Sequence, residues 1–142
     1  MDTHPLDNPA YGSLAHRHRA LAQAAGEVLR YPPGIAPFLG VPRDGLDDPE
    51  ALAALVPEGD TVLVIGPHPA VPAGFVLEPQ FTLVQMDCPS PLAETPGPEI
   101  VELGPERHAQ LLELVALVYP HYFRPRAMAI WAAVMRAGSP PG

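Results

Sequence analysis

Twenty-one of the 142 residues are proline, and no other feature constrains the fold as much. Proline offers no backbone N–H and clashes with the preceding helical turn, so neither a helix interior nor a central strand tolerates it. The elements must therefore be short and start or stop at prolines. Tyr31-Pro32-Pro33-Gly34 is a stop signal, Pro37 confines 35–41 (IAPFLGV) to a sheet edge, and Pro57 ends whatever precedes it. Residues 89–98 (PSPLAETPGP) hold four prolines in ten positions and read as a semi-rigid linker.

Between the prolines the apolar periodicity predicts the elements. Asn8 and Pro9 form a helix-start signature. Behind them Tyr11, Leu14, Ala15, His18, Leu21, Ala22, Ala25 and Val28 recur at spacings of three and four, predicting one amphipathic helix to about Arg30. Asp48-Pro49-Glu50 opens a second helix to Val56. Thr61 to Ile65 (TVLVI) is a β-branched run of the kind found in buried strands. Phe75 to Leu77 and Phe81 to Cys88 are expected as further strands. After the linker, Glu99 to Leu103 predicts a strand, and Leu111, Leu112, Val115 and Val118 mark a helix from Pro105 to Tyr119. A last short helix fits Ala127 to Ala137. Strands and helices in both halves predict an α/β fold, a mixed sheet with flanking helices. The expected core is Leu14, Leu21, Val28, Val62, Val64, Phe81, Leu83, Leu112 and Val115.

Charge narrows the partners. The net charge is −8. Residues 44–106 carry twelve acids and no Arg, whereas 107–142 carry four Arg against one Glu. There is no basic stripe with interleaved aromatics, so nucleic acid is not an expected partner. No segment is long and apolar enough to predict a membrane span. Lysine is absent, which excludes a Schiff-base or P-loop lysine. Cys88 is the one cysteine and is expected to be buried and inert. With no export signal at the N-terminus, the cytoplasm is the expected compartment.

The chemistry-bearing residues taken alone do not name an activity. His16 and His18 would share a face on a strand, but on a helix they sit roughly 200° apart. His18 then belongs to the apolar stripe and His16 to solvent, and no metal site is expected. Ser13, Ser90 and Ser139 lie in no nucleophile elbow, and no glycine-rich phosphate loop is present.

The order of short phrases carries more. LDNPAYGSLAHRHRALAQAAGEVLRYPPGIAPFLGV is followed by ALAALVPEGDTVLVIG and FTLVQMDCP. After the linker comes EIVELGPERHAQLLELVALVYPHYFRPR. This series resembles a branch of the GNAT superfamily of N-acetyltransferases in which a degenerate N-terminal GNAT-like domain precedes a catalytic one. The resemblance implies a GNAT-like N-terminal domain at 1–88, a linker at 89–98, and at 99–142 the first strand and helices of a partial second GNAT unit. It implies that the YPHYFRPR loop, with Tyr119, Tyr122, Phe123 and Arg126, lines the acceptor-substrate side. In full-length relatives, backbone N–H groups at a helix N-terminus in an R/Q-x-x-G-x-G/A turn cradle the pyrophosphate of acetyl-CoA. This sequence contains no such turn, and its residues after Arg126 depart from the family pattern, as if the second unit were truncated. No cofactor is therefore expected in this chain and its catalysis is uncertain. The expected function is that of an acetyltransferase relative inactive alone. A non-catalytic ligand-binding or protein-interaction module is the alternative, and an active enzyme with an unfamiliar site ranks last. An apolar face left without its second half predicts a homodimer with Trp131 at or near the contact.

Overall fold

The computed structural model describes residues 4–118 and Arg126. A 3₁₀ turn at Pro5–Asp7 leads into helix α1, Pro9–Ala15, with Pro9 in the first turn where its missing N–H costs nothing. Asn8 precedes the helix as expected, yet its side chain does not cap it. The amide Nδ2 instead donates to Val41 O at 2.7 Å, tying the helix start to the chain just beyond Gly40.

The long helix to Arg30 is not formed. α1 stops at Ala15, a 3₁₀ turn occupies Arg19–Leu21, and the chain then enters a hairpin of β1, Gln23–Ala25, and β2, Val28–Arg30. Ala25 pairs with Val28, leaving Gly26 and Glu27 as a two-residue turn. Gly26 has φ +54°, a conformation glycine adopts without strain and which suits the twist of a tight hairpin. β3, Leu39–Gly40, adds on the other side of β2, with Arg30 opposite Leu39 and Leu29 opposite Gly40. The helical spacing misled because both faces of β2 are covered. Val28 and Leu29 are then apolar in succession, and a run of that kind carries no period of two.

The alternation sorts the core into two clusters. Val28 and Leu39 point to one face, where they meet Val41, Leu46 and Ala51, Leu52 and Val56 of the α2 region. Leu29 points to the other, where it packs beside Leu14, Tyr31, Ile35 and Ala36. Gly40 also faces α1, and a Cβ there would lie 2.7 Å from the backbone of Tyr11, so the absence of a side chain lets the helix lie directly on the strand.

Helix α2, Pro49–Leu55, forms where the Asp48-Pro49-Glu50 signature predicts it. Asp48 Oδ1 accepts from Ala51 N at 3.0 Å, a side-chain cap of a donor the helix cannot satisfy itself. α2 carries the chain from β3 to residues 61–65, which run parallel to β3. Leu63 N donates to Pro37 O at 2.8 Å, and Leu39 N donates to Leu63 O at 3.0 Å. TVLVI is thus half-buried with a single bridge rather than a fully buried strand, because it has a neighbour on one side only.

Beyond Phe75 the expectation of further strands fails. Residues 76–103 contain no helix or ladder among the described residues. Phe81 is 67% and Leu83 51% exposed, so neither belongs to the core, and Ile100 of the expected strand 99–103 is 96% exposed. Alternating apolar residues make a strand only against a neighbouring strand, and prolines at 79, 89 and 91 deny this segment donors at its ends. Cys88, expected buried, is exposed, and its thiol lies 2.9 Å from Ser90 O. A 3₁₀ turn at Pro105–Arg107 and helix α3, His108–Val118, follow as the sequence predicts. Leu112 and Val115 are half-buried and belong to neither cluster. The helix expected at 127–137 lies outside the described residues.

These burials predict opposite outcomes for two similar truncations. Leu14→Ala, at a fully enclosed position, is expected to cost about 2–5 kcal/mol in urea denaturation. Phe81→Ala is expected to stay within about 0.5 kcal/mol of the parent. A large cost at Phe81 would mean that residues 76–88 pack in solution.

Candidate functional site

The turn after β2 gathers the polar groups of the α1-side core. Tyr31 continues out of β2, and its N–H donates to Phe38 O at 3.1 Å. Pro32 and Pro33 cannot extend the strand, and Pro32 O accepts from Ile35 N at 2.8 Å, folding the chain back. This turn swings the Tyr31 side chain beneath α1, where it is 4% exposed.

His18 arrives from the other direction. After α1 its N–H donates back to Ser13 O at 2.8 Å, which drops the imidazole into the same core at 7% exposure. His18 Nδ1 and the Tyr31 hydroxyl lie 2.5 Å apart, with the rings edge-on at 62° and centroids 5.7 Å apart. Nε2 on the far side of the ring is buried without a partner among the described residues. Burial disfavours the imidazolium and the positive charge of Arg17 adds to the effect, so the His18 pKa is pushed below its ordinary value. Burial pushes the Tyr31 hydroxyl up, and a hydrogen bond with Ser13 offsets part of that rise.

One predicted site residue meets this turn. The Arg126 backbone N–H donates to Gly34 O at 2.8 Å, and its side chain lies against Gly34, where a Cβ would come within 3.3 Å of Cδ. The structure therefore brings Gly34, the end of the YPPG turn, and Arg126, the last residue of the YPHYFRPR phrase, together. Tyr119, Tyr122 and Phe123 lie outside the described residues. His18 and Tyr31 are too enclosed to meet a substrate in this arrangement. Their chemistry is positional: the pair pins the turn on which Arg126 docks.

His16 and His68 stand apart from it. His16 is exposed and uses Nδ1 on Gly12 O at 2.9 Å, so the two histidines of HRH face opposite environments as the helical reading predicts, although α1 ends just before them. His68 sits on a distant loop, its N–H donating to Asp44 Oδ1 at 3.0 Å. The burial of His18 was legible from its place in the apolar stripe. Its pairing with Tyr31 was not, since nothing local links positions thirteen apart.

In the β3-to-α2 loop, Arg43, Asp44 and Asp48 are engaged within the chain. Arg43 grips Glu27 of the hairpin turn bidentately, at 3.0 and 2.9 Å. Asp44 holds His68, and Asp48 caps α2.

A buried neutral histidine makes stability depend on pH. Above the ordinary histidine pKa of 6.5, His18 is neutral in both folded and unfolded chains and contributes no pH slope. Below it the unfolded chain takes up a proton that the folded chain resists, so stability falls with pH until the lower folded pKa is reached. Urea midpoints measured across this window are expected to drop for the parent. The drop should flatten in His18→Gln, and an unchanged slope in that variant would remove His18 as its source.

Comparison with protein-family models, with curated proteins and with solved structures gave no match to this chain.

Proposed function

We propose that the chain is a non-catalytic relative of the GNAT N-acetyltransferases whose sheet-and-helix body serves as an interaction module. The order of phrases from LDNPAYG to FRPR supports the relationship. So does an antiparallel β1–β2–β3 meander followed by a helical crossover to a parallel bridge. The observation that carries the loss of function is the start of α2. In the family, backbone N–H groups at a helix N-terminus after the sheet hold the pyrophosphate. Here that end is occupied by the chain's own Asp48 carboxylate, and Pro49 has no N–H to offer. Asp47 adds a second negative charge, and Arg43, the nearby cation, is engaged with Glu27. An entering polyphosphate would meet two carboxylates at this helix start.

The expected outcome is that acetyl-CoA leaves the melting temperature unchanged. A ligand at one hundred times its dissociation constant adds about 2.7 kcal/mol to a folded chain, which a thermal-shift titration detects easily. A saturable rise would overturn the proposal.

Association of two copies in the cytoplasm completes it. Leu114, Leu117 and Val118 of α3 are 59%, 83% and 68% exposed, an apolar surface that supports a homodimer. Trp131, the expected contact, lies outside the described residues. The acidic middle of the chain disfavours a nucleic-acid partner, and no described helix is long and apolar enough to cross a membrane. Sedimentation at micromolar concentration should give twice the 15.1 kDa chain mass. A monomer that persists on concentration would defeat the pairing.

A further inference from the structure

We propose that the open sheet edge at residues 61–65 accepts an extended peptide strand from another protein, with apolar residues in alternation and basic residues at its ends. This inference goes beyond the acetyltransferase relationship and the pairing of two copies, and depends on neither.

The backbone makes the first argument. Leu63 directs its N–H and C=O toward β3, where both are bonded. Successive residues of an extended strand direct these groups to opposite sides. Val62 and Val64 therefore present theirs to the outer edge, and no backbone hydrogen bond meets them among the described residues. An unpaired row of donors and acceptors is the template for adding a strand.

The side chains set the alternation. Val62 and Val64 pack, half-buried, against the cluster beneath α2, as Phe75 does. A strand added at this edge would continue that apolar face with every second residue, while its intervening residues would face the other way. The space for it exists. A cleft of ≈ 1790 Å³ is lined by residues 61–65, Val62 and Val64 among them, together with Phe81 and Leu83 of the extended segment.

Charge then selects the occupant. Asp7, Glu58, Glu78 and Asp87 line the cleft, as does Asp60, whose charge is paired with Arg30, and no arginine lines it among the described residues. The chain's own extended segment brings Glu78 and Asp87 to the edge, and a second copy brings a second acidic cleft. Both add like charge. A strand with basic ends meets complementary potential on its approach and at its rim.

The experiment uses the whole chain and a fluorescein-labelled nonapeptide of alternating valine and threonine with two arginines at each end, followed by fluorescence anisotropy. Saturable binding is expected, weakening several-fold as salt rises from about 50 to about 300 mM, because exposed ion pairs are screened over that range. The same peptide with glutamates at its ends should bind at least about tenfold more weakly. N-methylation of its central amides should abolish binding by removing strand donors. Val64→Pro removes an edge N–H at a position where proline is tolerated, and should abolish binding, with a lowered melting temperature because a half-buried valine is lost from the cluster. Should that variant unfold, hydrogen exchange on the parent decides the matter, since the Val62 and Val64 amides must gain protection when peptide is added. No saturable binding up to about 1 mM, the weak end of specific affinities, would overturn the proposal. Equal binding of the N-methylated peptide would do so too, as would Val62 and Val64 amides already protected in the free chain.

Discussion

Arg30 is the side chain on which the arrangement of sheet and helix depends. It ends β2 on the face toward α2 and is 2% exposed, an expensive position for a permanent cation. Two bonds compensate for the lost water. One guanidinium nitrogen donates to Leu55 O at the C-terminal end of α2, where an unsatisfied carbonyl needs a donor. Another lies 2.8 Å from Asp60 Oδ2 in the turn that follows. A single side chain thereby joins strand, helix end and turn. Since α2 is the crossover to residues 61–65, Arg30 also sets where the parallel bridge to β3 falls and where the outer edge opens. Its Nε is buried without a partner among the described residues, so the compensation is incomplete, and removing Asp60 would leave a cation with one bond in place of two.

On the opposite face the constraint is steric rather than electrostatic. Gly40 lets the backbone of α1 approach β3 more closely than any side chain would permit, and Asn8 locks that approach by donating to Val41 O. The ends of the same loop are fastened by charge. Arg43 lowers the Glu27 carboxyl pKa chiefly through its hydrogen bonds, yet both groups are exposed, and such pairs add little stability. Their effect is to fix the hairpin turn beside the β3-to-α2 loop. Charges that an anion-binding loop would offer to a ligand are here spent within the chain.

The two ends of the chain differ for one reason. From Asn8 to Phe75, each apolar element has a neighbour from another part of the sequence. From Val76 to Leu103 every described residue is exposed, and the same kinds of side chain remain in water. Phe81, Leu83 and Met86 are no less apolar than Leu14, Leu39 and Leu52. What differs is the presence of a second surface.

Some local signals were legible in the sequence. Asp48-Pro49-Glu50 started a helix because a carboxylate and a proline act on their own few residues, and Pro105 with the Leu111, Leu112 and Val115 stripe did the same for α3. The burial of His18 also followed from residue type and spacing, whereas Pro32-Pro33, read as ending a helix, follows the end of strand β2. The single helix to Arg30 did not survive, because covering β2 on both faces removes the period that distinguishes strand from helix, and only Gly26 hinted at the turn. The strand at Phe81–Cys88 failed for the converse reason, having the pattern without the neighbour. Composition and short-range spacing determined where this chain can bend, cap and hide apolar groups. Tertiary structure alone decided the contacts between His18 and Tyr31, Arg30 and Asp60, and Gly34 and Arg126. Each joins segments whose proximity depends on long-range packing, and that is a property of the folded surfaces together rather than of either segment.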